Sequence, residues 1–144
     1  MQPIFFIVLV GILGGMAIGV QSPMASMLSQ RMGMMDSVFI VHVGGAIIAL
    51  LPMIFLGSKL SQWRSLPWYT LGAGIFGLIV ISAISYMIPR VGVAASITTV
   101  VAGQLLVSVI LDHFGLLGAT VRTLDVTRIL GMAVLLVGVW LTVK

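Results

Sequence analysis

The order of apolar and polar residues along the chain is dominated by long apolar runs with short polar connections between them. A helix needs about 20 mostly apolar residues to cross the hydrocarbon core of a bilayer. Five runs meet this need, and Thr127 and Arg128 extend the last one at the membrane interface. They are residues 3–20, 38–57, 68–88, 92–111 and 128–143. The pattern predicts an all-α integral membrane protein of five spans, in one domain over residues 1–144.

Prolines and capping residues mark the predicted ends of these spans. Pro3 lies where the first span begins, a position that does not need its missing N–H group, and Pro89 closes the third. Asp125 or Thr127 can cap the fifth span. Pro23 follows the first span, and the helix could continue beyond it as a bent segment.

The composition excludes several classes of protein. Hydrophobic residues make up 60% of the chain and charged residues 7%, too few charges to cover a water-soluble surface. The seven lysines and arginines form no cluster, which argues against nucleic-acid binding. The chain has no cysteine, no acidic residue in mid-span and no nucleophile–base pair, so we expect no enzyme, no metal site and no cofactor.

The basic residues are almost evenly divided between the two sides of the predicted bundle. Side A, the side of the N-terminus, collects four of them: Lys59, Arg64, Arg122 and Arg128. Side B collects three: Arg31, Arg90 and Lys144. Because an excess of Lys and Arg on one side sets orientation, the near balance leaves two possibilities open. The chain inserts in one weakly determined orientation, or it inserts both ways.

Glycines recur at helical spacing in the first and last spans. Gly11, Gly15 and Gly19 form a doubled GxxxG stripe, and Gly131 and Gly138 lie on the fifth span. Such stripes let another helix approach closely. They serve ordinary bundle packing, or they form seams along which helices rock during transport.

Polar residues inside the spans are the candidates for substrate binding, because they usually face a bundle interior or a cavity. Gln104 lies about 18 Å into the fourth span, near the midplane, where its amide binds a solute or bridges two helices. His42 lies inside the second span, and Gln21 and Ser22 lie at the end of the first. Hydroxyls elsewhere in the spans are expected to bond back to their own helix; they are Ser82, Ser85, Ser96, Thr98 and Thr99.

Charged residues at the span ends are the candidates for gating or charge pairing. Asp112 and His113 end the fourth span on side A, where Asp112 could recognise charge or tie the last loop through Arg122 or Arg128. Arg90 beside Pro89 is expected to anchor the chain at the interface.

Several segments together resemble a known family. They are GVQSPMASML in the first span, LPWYTLGAGIFG opening the third, PRVGVAASITTVVAGQLLVSVILDHFG from Pro89, and TRILGMAVLLVGVWL at the end. This combination is similar to the YdcZ-type family of the drug/metabolite transporter superfamily. Family members often carry an asparagine four residues after the first-span glutamine, where this chain has Ala25.

The resemblance implies a multi-pass protein of a bacterial inner membrane. A lone five-helix chain with balanced charge is similar to the ancestral arrangement in this superfamily, an antiparallel homodimer of ten helices. The expected function is transport of a small metabolite or ion by alternating access between two inverted copies, with the second copy and the bilayer as partners. The alternatives are a membrane scaffold or accessory subunit and, with less support, a channel.

Overall fold

The computed structural model describes residues 4–144, and every regular element in that part of the chain is helical. The predicted helix start at Pro3 lies outside the described residues. Four α-helices follow one another: α1 (Ile4–Met32), α2 (Met34–Leu56), α3 (Ala73–Phe114) and α4 (Val126–Val143). Within residues 4–144, four helical segments are long and apolar enough to cross a membrane.

The third of these segments, Trp68–Phe114, is 47 residues long and contains two of the predicted spans. Its backbone leaves the helical conformation at Gly92, where φ is 84° and ψ is 169°. A positive φ is costly for a residue with a Cβ, so glycine is the residue that allows this break. The break falls at Gly92 rather than at Pro89, where the sequence predicted the end of the span. The two halves of α3, residues 73–91 and 93–114, each have the length of one span.

Helix α1 continues well past Pro23, to Met32, so the possible extension of the first span is confirmed. Its 29 residues extend about 43 Å at 1.5 Å per residue. Proline lacks the N–H that would bond the carbonyl four residues earlier. Next to it, the Ser22 hydroxyl donates to the Ile18 carbonyl at 2.7 Å, which adds a hydrogen bond to the turn that Pro23 weakens.

A turn of one residue joins α1 to α2. Gly33 has φ 103°, and its N–H donates to the Ser29 carbonyl at 3.0 Å. The Ser37 hydroxyl in α2 then donates to the Ala25 carbonyl in α1 at 2.7 Å. Ala25 and Ser37 are both buried, so small side chains let the two helices approach closely.

The chain divides into two compact units, Met1–Tyr86 and Met87–Lys144. In the second unit, the connection between α3 and α4 begins with Gly115 in the left-handed conformation, at φ 62°. Asp125 caps α4 by accepting from the Arg128 backbone N–H at 2.8 Å. Of the two caps that the sequence predicts, Asp125 and Thr127, the structure has Asp125. Thr98 and Thr142 join the two helices of this unit through their hydroxyls at 3.0 Å.

Few side chains are buried in the described part of the chain. The buried apolar residues are small or medium-sized: Ala25, Val38, Ile84, Ala95 and Ala102. The buried polar residues are all serines: Ser22, Ser26, Ser37, Ser85 and Ser96. Large apolar side chains are exposed along all four helices. Such extensive apolar exposure is expected where lipid or another protein surface replaces water.

Candidate functional site

Gln104 lies at the middle of the second half of α3, about 17 Å from its start at residue 93. Its side chain is exposed, and within residues 4–144 its amide group has no hydrogen-bond partner. Its backbone carbonyl accepts a bond from the Ser108 hydroxyl at 2.7 Å. An exposed amide with two donors and an acceptor is therefore left without a partner in the described residues, at the middle of a helix of span length.

His42 lies in α2 beside the start of α3. Its Nδ1 atom is 2.8 Å from the Val38 carbonyl oxygen. Because a carbonyl only accepts, Nδ1 is the donor in this contact, and Nε2 is the ring nitrogen not used by it. Nε2 faces Gly77 so closely that a Cβ built on Gly77 would lie 2.7 Å from it. A largely apolar cavity of about 300 Å³ adjoins the ring, with Phe39 and Gly74 in its wall.

Asp112 and Arg128 form an ion pair between the end of α3 and the start of α4. Arg128 Nη1 lies 3.5 Å from Asp112 Oδ2, and both side chains are partly exposed. The Asp112 backbone carbonyl also accepts from the Arg122 N–H at 2.9 Å. His113 Nδ1 accepts from the Leu124 N–H at 3.4 Å. Asp112 and His113 therefore both hold the last loop.

The remaining candidates differ in exposure and in hydrogen bonding. Gln21 is exposed on α1, whereas Ser22 is buried and donates to its own helix. Arg90 is exposed two residues before the break at Gly92.

The hydrogen bonds of the serine hydroxyls differ in part from those that the sequence predicts. Ser96 bonds back to the Gly92 carbonyl at 2.6 Å, as predicted. Ser82 and Ser85 do not follow the prediction, because their buried hydroxyl oxygens have no partner in the described residues. Ser37 bonds to another helix rather than its own. The clue in the sequence was the presence of small residues on both sides of Gly33, Ala25 and Ser26 before it and Ser37 after it, where close helix contact is possible.

No group of three or more His, Cys, Asp or Glu residues that could hold a metal ion occurs in the described part of the chain. The polar groups present can bind through hydrogen bonds and one ion pair.

Comparison with known protein families gives a match over most of the chain. Residues 6–141 match a family described as "Putative inner membrane exporter, YdcZ". The chain belongs to the YdcZ family. No curated protein and no solved structure matches it. The family match includes every candidate residue from Gln21 to Arg128, and the sequence resemblance is confirmed.

Within residues 4–144, no side chain packs against the glycine stripes of this YdcZ-family chain. A Cβ added at any of them would meet nothing within 4 Å. They are Gly11, Gly15, Gly19, Gly131 and Gly138. Their role in helix packing stays a prediction, and it now concerns contacts with something other than the described chain.

Proposed function

We propose that this chain is a secondary membrane transporter of a small metabolite or ion, without an enzymatic step, in a bacterial inner membrane. Two copies in opposite orientations pair, and substrate passes by alternating access between them. The YdcZ family is described as an exporter, which supports the general class. The inverted pairing supplies the internal symmetry on which many transporters depend.

The exposed amide of Gln104 carries this proposal. An unsatisfied polar group in hydrocarbon costs several kcal/mol, so a mid-membrane amide without a partner in its own chain requires a partner from outside it. A hydrated cavity between two copies, or a bound solute, provides that partner. In an inverted pair, Gln104 and its symmetry mate lie at nearly the same depth.

The pairing also accounts for the exposed surfaces. Five crossings, with the two halves of α3 taken as separate spans, would put the termini on opposite sides of the membrane. The four-to-three division of basic residues gives weak orientation, which favours insertion both ways. The open glycine stripe from Gly11 to Gly19 then offers a close contact for the second copy.

Cysteine labelling tests whether Gln104 faces water. The chain has no cysteine, so Gln104→Cys introduces a unique thiol. We expect a membrane-impermeant thiol reagent to label it in intact inner-membrane vesicles. The matched control is Leu106→Cys, two residues along and about 200° around the same helix, at nearly the same depth. Leu106→Cys should stay unlabelled because it faces lipid.

The labelling result separates the transporter from a scaffold or accessory subunit. A scaffold uses the amide as a dry helix–helix hydrogen bond, typically worth about 0.6–2 kcal/mol. Absence of labelling at both positions, together with lower stability of Gln104→Leu, would contradict the transport proposal.

A further inference from the structure

A groove of about 500 Å³ runs between the second half of α3 and α4, within the second compact unit. Its volume lies in the range of ligand-binding clefts. One end is polar and holds Asp112, Arg128 and the Ser108 hydroxyl. The rest is apolar, with Val101 and Leu105 on α3 and Leu135 on α4.

The length of the groove matches one leaflet of a bilayer. Asp112 lies two residues before the end of α3, and Arg128 two residues after the start of α4, so both stand at the ends of span-length helices, where charged residues of membrane helices reach the interface. From Asp112 to Val101 the groove follows α3 for eleven residues, about 17 Å. Half of a bilayer hydrocarbon core is about 15 Å thick. The charged end therefore lies at headgroup level and the apolar part ends near the midplane.

The ion pair has unused bonding capacity at its exposed edge. Only Oδ2 of Asp112 and Nη1 of Arg128 take part in the contact, which is long at 3.5 Å. Within residues 4–144, Asp112 Oδ1 accepts no bond, and Arg128 Nε and Nη2 donate none. One carboxylate oxygen and several guanidinium N–H groups remain for an outside partner.

The local charge selects the headgroup. Arg122 and Arg128 are balanced by Asp112 and Asp125, so the cluster has no net charge to attract an anionic lipid. A headgroup with one phosphate and one primary ammonium complements the pair. Arg128 donates to the phosphate, and Asp112 accepts from the ammonium.

From this geometry we infer that the groove between α3 and α4 binds a zwitterionic membrane phospholipid, phosphatidylethanolamine. Its headgroup lies on Asp112 and Arg128, and one acyl chain lies along the apolar part. This is a lipid site beside the proposed transport pathway, and it does not depend on transport.

Native mass spectrometry of the purified full chain tests the site. The probes are phosphatidylethanolamine and phosphatidylglycerol with identical acyl chains, together with glycerophosphoethanolamine, which has the headgroup alone. We expect phosphatidylethanolamine to bind about tenfold more tightly than phosphatidylglycerol, the effect of one charge-assisted hydrogen bond. Glycerophosphoethanolamine should not compete, because it lacks the acyl chain.

Gly131→Leu tests the apolar part of the groove, with Gly138→Leu as its control, and Asp112→Asn tests the charged end. Gly131→Leu fills the groove, since a Cβ at Gly131 meets nothing within 4 Å, and lipid retention should be lost. Gly138→Leu adds the same side chain two turns further along α4, also into open space but outside the groove, and retention should persist. Asp112→Asn removes the acceptor for the ammonium and leaves a net positive charge, so the preference for phosphatidylethanolamine should be lost or reversed without loss of binding. Should Gly131→Leu not fold, Ser108→Leu fills the groove from the opposite wall.

Three results would overturn the inference. One is equal retention of both lipids by the unmodified chain. Another is competition by glycerophosphoethanolamine alone, which would indicate a water-soluble zwitterion. The third is loss of a dimer in Gly131→Leu with no lipid bound to the unmodified chain, which would assign the groove to a second copy. None of these results depends on the labelling of Gln104→Cys, so the two proposals fail separately.

Discussion

At the scale of single residues, local bonding decides what each polar group can still do. His42 uses Nδ1 on its own helix and keeps Nε2 toward Gly77. No described residue bonds to the side-chain amide of Gln104, so its N–H groups and its oxygen are all available. Ser22, which the sequence grouped with them as a substrate-binding candidate, is buried and bonded to Ile18. Polar residues that the sequence predicts alike as substrate-binding candidates therefore differ in how many hydrogen-bond donors and acceptors they have left for a ligand.

A substitution at Gly77 tests the position of the His42 ring. A Cβ at Gly77 would lie 2.7 Å from Nε2, so we expect Gly77→Ala to move the ring and break its bond to Val38, at a cost of about 1 kcal/mol. Gly74→Ala is the matched control, three residues earlier on the same helix, and a Cβ there meets nothing within 4 Å. It should leave the ring in place and stabilise the helix by up to about 1 kcal/mol.

Nitrogen NMR of labelled histidine measures the ring directly, with His113 as the internal reference. An unchanged His42 signal in Gly77→Ala would show that the ring does not occupy the position described.

At the scale of elements, the helix ends depend on individual side chains. The sequence located the apolar runs, but α1 passes through Pro23 and α3 bends at Gly92 rather than at Pro89. Near Pro23, a serine hydroxyl bonds a carbonyl of the weakened turn. At Gly92, the backbone adopts a conformation that residues with a Cβ rarely take. Proline alone is therefore a poor guide to where a membrane helix ends.

The cap of α4 gives a test at this scale. Asp125→Ala removes the side chain that accepts from the Arg128 N–H, and we expect α4 to lose about 1 kcal/mol. Hydrogen exchange of the first turn of α4 should speed up. Thr127→Ala is the control, because the Thr127 side chain does not cap the helix. Equal exchange rates in both variants would contradict the capping role.

At the scale of the whole molecule, the described chain buries little of its apolar surface. Ten residues are buried, and half of them are serines. The hydrophobic effect cannot hold apolar helices together in lipid, so close packing of small residues and hydrogen bonds such as Ser37 to Ala25 carry that role. The exposed apolar faces and open glycines are left for lipid and for the proposed second copy.

Added lysines test the proposed dual orientation. Ser61→Lys gives side A five basic residues against three, and a second variant, Met32→Lys with Lys59→Gln and Arg64→Gln, gives side B four against two. Each should fix one orientation, because the existing difference is a single charge. Reporters after Lys144 should appear on both sides in the unmodified chain and on opposite sides in the two variants.

Differently tagged copies of the two variants should purify together, whereas two copies of the same variant should not. A reporter found on one side only in the unmodified chain would contradict dual orientation.

The sequence by itself determined the class, the family and the approximate positions of the helices. Apolar runs of span length lie where no water can bond their backbone N–H and C=O groups, so they form helices, in which these groups bond one another. The sequence also indicated Asp125 as a cap and Asp112 as a partner for Arg122 or Arg128, because these residues stand at span ends.

Only the tertiary structure decided which side chains meet. The contact of His42 with Gly77, the bond from Ser37 to Ala25 and the groove beside Asp112 and Arg128 all join different helices. Spacing along a chain fixes depth and helical face, but not the lateral distance between helices. That distance follows from how small side chains and bends such as Gly92 let the helices approach one another.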